Sequence, residues 1–128
     1  MFGSKKPLYS NRLSRDLAEL YEHDYSCSSS LLSVDPDSSM CGVTLHVCIF
    51  DGPYSRGHFS FYFSVPNNYP FKMVEVWSKH PIYHPNIDLF TGKVALPLEW
   101  SPVLTLRSLA VAVQMMLLEP SSERYHCV

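Results

Sequence analysis

Four cysteines (Cys27, Cys41, Cys48 and Cys127) and the histidines His80, His84 and His126 are side chains able to carry nucleophilic or metal chemistry in this 128-residue chain. A reactive thiol needs an electropositive, partly exposed setting. Cys48 lies on a strand out of phase with the core face set by Val47 and Ile49, and the sequence shows no partner for it. Cys127, beside His126, could deliver a thiol to a cleft from a tail, but a terminal cysteine is read first as incidental. No cysteine pair has the spacing of a zinc site. His80 and His84 are four apart, yet Pro81 and Pro85 prevent a helix there, so they cannot form a helical metal pair. The expectation is no metal and no cofactor.

The elements that must position these residues are legible from periodicity. Residues 1–10 are polar and contain Pro7, and read as a flexible arm. From Ser10 or Asn11, each a good cap, Leu13, Leu17, Leu20 and Tyr21 form one helical stripe, with Arg15 and Glu19 spaced to pair. The helix fades by Glu22 to Tyr25, where Asp24 and serines compete for backbone hydrogen bonds. The period then becomes two. Ser30 to Val34 is a first strand, Asp35 to Ser39 a turn, Val43 to Phe50 a second strand and Phe59 to Val65 a third with an aromatic face. Val74 to Trp77 is a fourth. Residues 82–105 are rich in loop signals, and Leu106 to Leu118, capped by Thr105, is a helix with Leu106, Leu109, Ala110, Val113, Met116 and Leu117 on its core face. Val111, Ala112 and Met115 make that helix apolar nearly all round, and both methionines read as core. The fold class is α+β: an N-terminal helix, a four-stranded antiparallel meander, a loop-rich segment and a central helix.

Length fits one domain spanning residues 1–128. A net charge of −2 gives no electrostatic reason to expect nucleic acid or an anionic membrane as partner. There is no apolar run long enough to span a membrane, no signal-peptide pattern, and too few cysteines for a disulfide framework. The expected location is cytoplasmic, nuclear or both.

Several motifs, in order, carry a resemblance. They are Gly52-Pro53-Tyr54-Ser55-Arg56-Gly57, Tyr69-Pro70-Phe71-Lys72, His84-Pro85-Asn86, Thr91-Gly92-Lys93-Val94 and Trp100-Ser101-Pro102. Over about Asn11 to Glu123 the chain resembles the ubiquitin-conjugating enzymes. Asp35-Pro36-Asp37, Val47-Cys48, Tyr83 to Leu89 and Leu117 to Pro120 are most similar to the neddylation branch. The resemblance implies that a modifier is carried as a cysteine thioester at the position held here by Ala95, and alanine cannot form that bond. It implies that Asn86 is a vestigial oxyanion donor and that His84-Pro85-Asn86 also shapes the loop. Without a thioester, the shaping role is the stronger reading. By the same resemblance, Phe71, Trp100, Ser101 and Pro102 face a ligase, and Arg12 and Arg15, with Lys5 and Lys6, face an activating enzyme. Phe71 and Trp100 could equally be loop-packing residues.

Four departures oppose activity: Ala95 itself, a Pro97-Leu98-Glu99 passage about three residues shorter than the family usually has, Met73-Val74 in place of paired prolines, and a chain that stops where the family usually adds two helices. Together they resemble the ubiquitin-conjugating enzyme variants. The implied function is a non-catalytic adaptor or competitor that binds ubiquitin or a ubiquitin-like modifier, an active conjugating enzyme, a RING-type ligase or an activating enzyme. Two alternatives stand: a conjugating enzyme with a displaced cysteine or an engineered Ala95, and a peptide-binding sorting variant.

Overall fold

The computed structural model describes residues 7–36 and 42–119. Helix α1 spans Pro7–Glu22, followed by strands β1 (Ser30–Pro36), β2 (Gly42–Ile49), β3 (His58–Ser64), β4 (Glu75–Ser78) and β5 (Lys93–Val94), and helix α2 (Leu106–Leu118). The strands form one antiparallel sheet in the order β1-β2-β3-β4-β5. This is the expected α+β meander with one strand more. β5 is two residues long, paired through Val76↔Val94 and Trp77↔Lys93, and so short a segment has no period to read.

Helix α1 begins earlier than expected, at Pro7 rather than Ser10 or Asn11. Proline lacks an N–H that the first helical turn does not use, and its fixed φ already suits a helix. The arm expected over residues 1–10 is therefore helical from residue 7, and residues 1–6 lie outside the described residues. The first strand extends through Asp35-Pro36, where a turn was expected. Because β1 is an edge strand, a proline at its end interrupts no inner ladder. The rest of that turn lies outside the described residues.

One face of the sheet is apolar. Leu32 of β1, Val43, Leu45, Val47 and Ile49 of β2, Phe61 and Phe63 of β3, Val76 of β4 and Val94 of β5 are all buried. Helix α2 covers this face, and α1 packs on α2. The Thr105 hydroxyl accepts from Ser108 N and the Thr105 amide donates to Ser108 Oγ, which caps the start of α2 as the sequence suggests. All six residues expected on the core face of α2 are buried. Two expectations about helix faces fail. Met115 is 47% exposed, and Tyr21, expected in the apolar stripe of α1, is 43% exposed. In α1 a carboxylate, Asp16, is buried beside Leu13 and Leu20. In α2 the buried Gln114 donates to Tyr25 O at 2.8 Å and to Ser30 Oγ at 2.6 Å, tying the helix to the start of β1.

Ion pairing also differs from expectation. Glu19 accepts from Arg107 Nε of α2 at 3.1 Å, not from Arg15. The Arg15 guanidinium lies 3.8 Å from Asp16 with its side chain 73% exposed. Among the described residues no helix is long and apolar enough to cross a membrane.

Candidate functional site around Ala95

The segment after β4 folds back through a dense set of local hydrogen bonds. His84 is buried. Its Nδ1 accepts from the Asn86 amide at 3.0 Å, and its Nε2 lies 2.8 Å from Met116 O of α2. Those two partners require a neutral ring with the proton on Nε2. Burial accordingly lowers the His84 pKa, with the Met116 carbonyl acting weakly in the other direction. Tyr54 stacks on the ring at 5.5 Å and donates its hydroxyl to Tyr83 O, so the Gly52–Gly57 hairpin closes over this loop.

Asn86 and Ala95 are joined twice: the Ala95 amide donates to Asn86 O at 2.8 Å, and Asn86 Nδ2 donates to Ala95 O at 2.8 Å. Between them the chain reverses around Asp88, whose Oδ1 accepts from the Phe90 and Thr91 amides. Gly92 completes the turn at φ +82, where a Cβ would sit 2.7 Å from Ser78 O. No other residue fits that conformation and that approach without strain. The Gly92 carbonyl accepts from Ser78 N at 2.7 Å, which docks the turn against β4.

Ala95 itself is exposed and lines an open cleft of about 510 Å³, together with Lys72, Met73, Val74, Glu75, Val76, Lys93, Val94, Leu96 and Leu98. None of these residues offers a thiol or hydroxyl nucleophile. The Asn86 side-chain amide is engaged by the carbonyl of Ala95 itself, a contact that holds the loop.

The residues expected to face partners divide into two groups. Phe71 is 77% exposed and Pro102 is exposed. Val103, not singled out from the sequence, is 82% exposed beside Pro102. Trp100 is half-buried: its indole N–H donates to Pro70 O at 2.8 Å and its ring lies 6.1 Å from Tyr69. It fastens the Trp100 loop to the Phe71 loop. Ser101 closes a turn, its carbonyl accepting from Leu104 N.

Arg12, expected as an activating-enzyme contact, is largely consumed within the fold. Nε donates to Asp16 Oδ2 at 2.7 Å, and Nη2 donates to Pro102 O at 2.7 Å and Leu104 O at 2.9 Å. The buried Tyr69 hydroxyl also donates to Asp16, and its pKa is raised by burial and by that carboxylate. Helix α1, the Phe71 loop and the Trp100 loop are thus locked by one network. Arg15 remains exposed. Lys5, Lys6, Cys41, His126 and Cys127 lie outside the described residues. Among the described residues no group of His, Cys, Asp and Glu has the arrangement of a metal site.

The family described as "Ubiquitin-conjugating enzyme" matches residues 12–126. The chain belongs to the ubiquitin-conjugating enzyme family. Among curated members, the NEDD8-conjugating enzyme UBC12 of Yarrowia lipolytica is 34% identical over 115 residues, covering 87% of this chain and 61% of the relative. The NEDD8-conjugating enzyme ubc12 of Schizosaccharomyces pombe is 40% identical over 76 residues, covering 57% of this chain and 42% of the relative. Among solved ubiquitin-conjugating enzyme structures, the E2 domain of a Toxoplasma gondii enzyme superposes with a TM-score of 0.71 at 28% identity, over 87% of this chain and 76% of that one. Saccharomyces cerevisiae Ubc12 gives 0.64 at 32% identity, over 86% and 62%. This chain spans 42% and 61% of the two curated ubiquitin-conjugating enzymes named here.

Proposed function

We propose that this chain is a non-catalytic ubiquitin-conjugating-enzyme-like protein of a ubiquitin-like modifier pathway, on the neddylation side, and that it acts as an adaptor or competitor. The observation that carries this reading is the exposed Ala95 beside an open cleft, clasped to Asn86 by two hydrogen bonds. The loop is shaped around a position that offers only a methyl group, and thioester transfer needs a nucleophile there. Its partners are a ubiquitin-like modifier, an active conjugating enzyme, a RING-type ligase or an activating enzyme, in the cytoplasm or nucleus. Phe71, Pro102 and Val103 are the exposed apolar residues of the two fastened loops that would meet a ligase.

The test is thioester charging with activating enzyme, ATP and either ubiquitin or the neddylation modifier, read on a non-reducing gel beside Ala95→Cys. The expected result is no reducible adduct on the unaltered chain and an adduct on Ala95→Cys. An adduct on the unaltered chain would overturn the reading in favour of a displaced cysteine.

A further inference from the structure

The face of the sheet turned away from α2 carries a second group of chemistry-bearing side chains. Antiparallel register places Leu31, Cys48 and His58 in one row across β1, β2 and β3, with Ser33, His46 and Ser60 in the row beside it. His46 is fully engaged, 3.0 Å from Ser60 Oγ through Nδ1 and 2.9 Å from Asp35 Oδ2 through Nε2. His58 is exposed, and its Nδ1 lies 3.1 Å from Cys48 Sγ. The half-buried thiol therefore has an imidazole base directly opposite it on the neighbouring strand, on a face that α2 does not cover. The other described cysteine, Cys27, has no base: its thiol meets the Ser30 hydroxyl at 3.5 Å.

We infer that Cys48 and His58 form a thiol–imidazole pair that exchanges with small disulfides such as glutathione disulfide, making the outer sheet face a site of reversible thiolation. In the forward step His58 Nδ1 takes the Cys48 proton as Sγ attacks one sulfur of the disulfide. The Cys48–sulfur bond forms, the incoming S–S bond breaks, and the departing thiolate takes the proton back from the imidazolium. Cys48 is oxidised to the mixed disulfide, one sulfur of the reagent is reduced to a free thiol, and His58 is restored. The adduct sits next to Leu31, which is 46% exposed, and so covers part of this face.

The experiment uses the full chain with Cys27→Ser, Cys41→Ser and Cys127→Ser, leaving Cys48 alone. Its exchange rate is followed with an aromatic disulfide that releases a coloured thiolate, and its product with glutathione disulfide by intact mass. Proton transfer by a positioned base contributes on the order of 100-fold or more, so His58→Gln is expected to slow exchange by at least tenfold. Three further readings should agree with this. His46→Gln should leave the rate unchanged, both proteins should react equally in denaturant, and circular dichroism should show both folded. Equal native rates for the parent and His58→Gln would overturn the inference. So would a native Cys48 that reacts no faster than the same thiol in the denatured chain.

Discussion

Replacing Arg12 by alanine separates a surface contact from a structural clasp. The guanidinium side chain is 20% exposed, and its carboxylate partner, Asp16, is 2% exposed. Among the described residues, truncation would leave that buried carboxylate the Tyr69 hydroxyl and the exposed Arg15, 3.8 Å away, as donors. Removing one partner of a buried ion pair costs about 3–5 kcal/mol. The remaining Tyr69 donor and the partial exposure of Arg12 place this case near 3 kcal/mol. The two carbonyls released, Pro102 O and Leu104 O, lie at or near the surface and regain water at little cost. A loss of about 3 kcal/mol is a large part of a total stability of about 5–15 kcal/mol. It should lower Tm by roughly 10 °C in a domain of this size. Urea unfolding, followed by the fluorescence of Trp77 and Trp100, measures it. In an Asp16→Asn background no charge is stranded, so the same Arg12→Ala change should cost about 1 kcal/mol, a coupling of about 2 kcal/mol. If Arg12→Ala instead shifts stability by under about 0.5 kcal/mol while weakening activating-enzyme binding, Arg12 is the surface contact the sequence suggested and the clasp is wrong.

Three further outcomes are expected. His84 has its pKa lowered by burial. Between the folded value and the ordinary value near 6.5, the unfolded chain binds a proton that the folded chain does not, so unfolding free energy rises with pH across that window and is lost as pH falls through it. Denaturation titrations from pH 7.5 to about 5 should show that slope, and His84→Gln should flatten it. Gln114→Ala strands the Tyr25 carbonyl, leaves the Ser30 hydroxyl its weaker contact with the Cys27 thiol at 3.5 Å, and opens a small cavity, which predicts a loss of about 2–3 kcal/mol in chemical unfolding. A near-neutral result would mean that the buried amide is dispensable. Gly92→Ala forces a Cβ to 2.7 Å from Ser78 O at positive φ, and should cost more than about 1 kcal/mol. Hydrogen exchange should show faster opening at the Ser78 amide, while protection of β2 amides stays unchanged.

The comparison of sequence with structure has a physical pattern. β2 and β3 were legible because alternation reports directly which side chains face an apolar layer, and α2 because a threonine cap and a helical period agree. The two-residue β5 and the extension of β1 through Pro36 were not legible, because each exists only by pairing with a neighbouring strand, whereas the helix start at Pro7 follows a local preference of proline for the first turn. The His84-Pro85-Asn86 loop was located by motif, but the reason it holds its shape, a neutral imidazole between Asn86 N and Met116 O, spans 32 residues to a helix. The engagement of Arg12 within the fold was hidden for the same reason. A cation on a helix reads as a solvated charge until the fold brings Pro102 O and Leu104 O, 90 and 92 residues away, within reach.

By itself the sequence determined the layer class, the core faces of the central strands and of α2, and the absence of a thiol at position 95, since these depend on residue type and local period. Only tertiary structure decided that Asp16 and Gln114 are buried, that Trp100 fastens two loops, and that Cys48 meets His58. Those facts depend on strand register and on which element packs where, and register is set by the summed burial of the whole sheet rather than by any one residue.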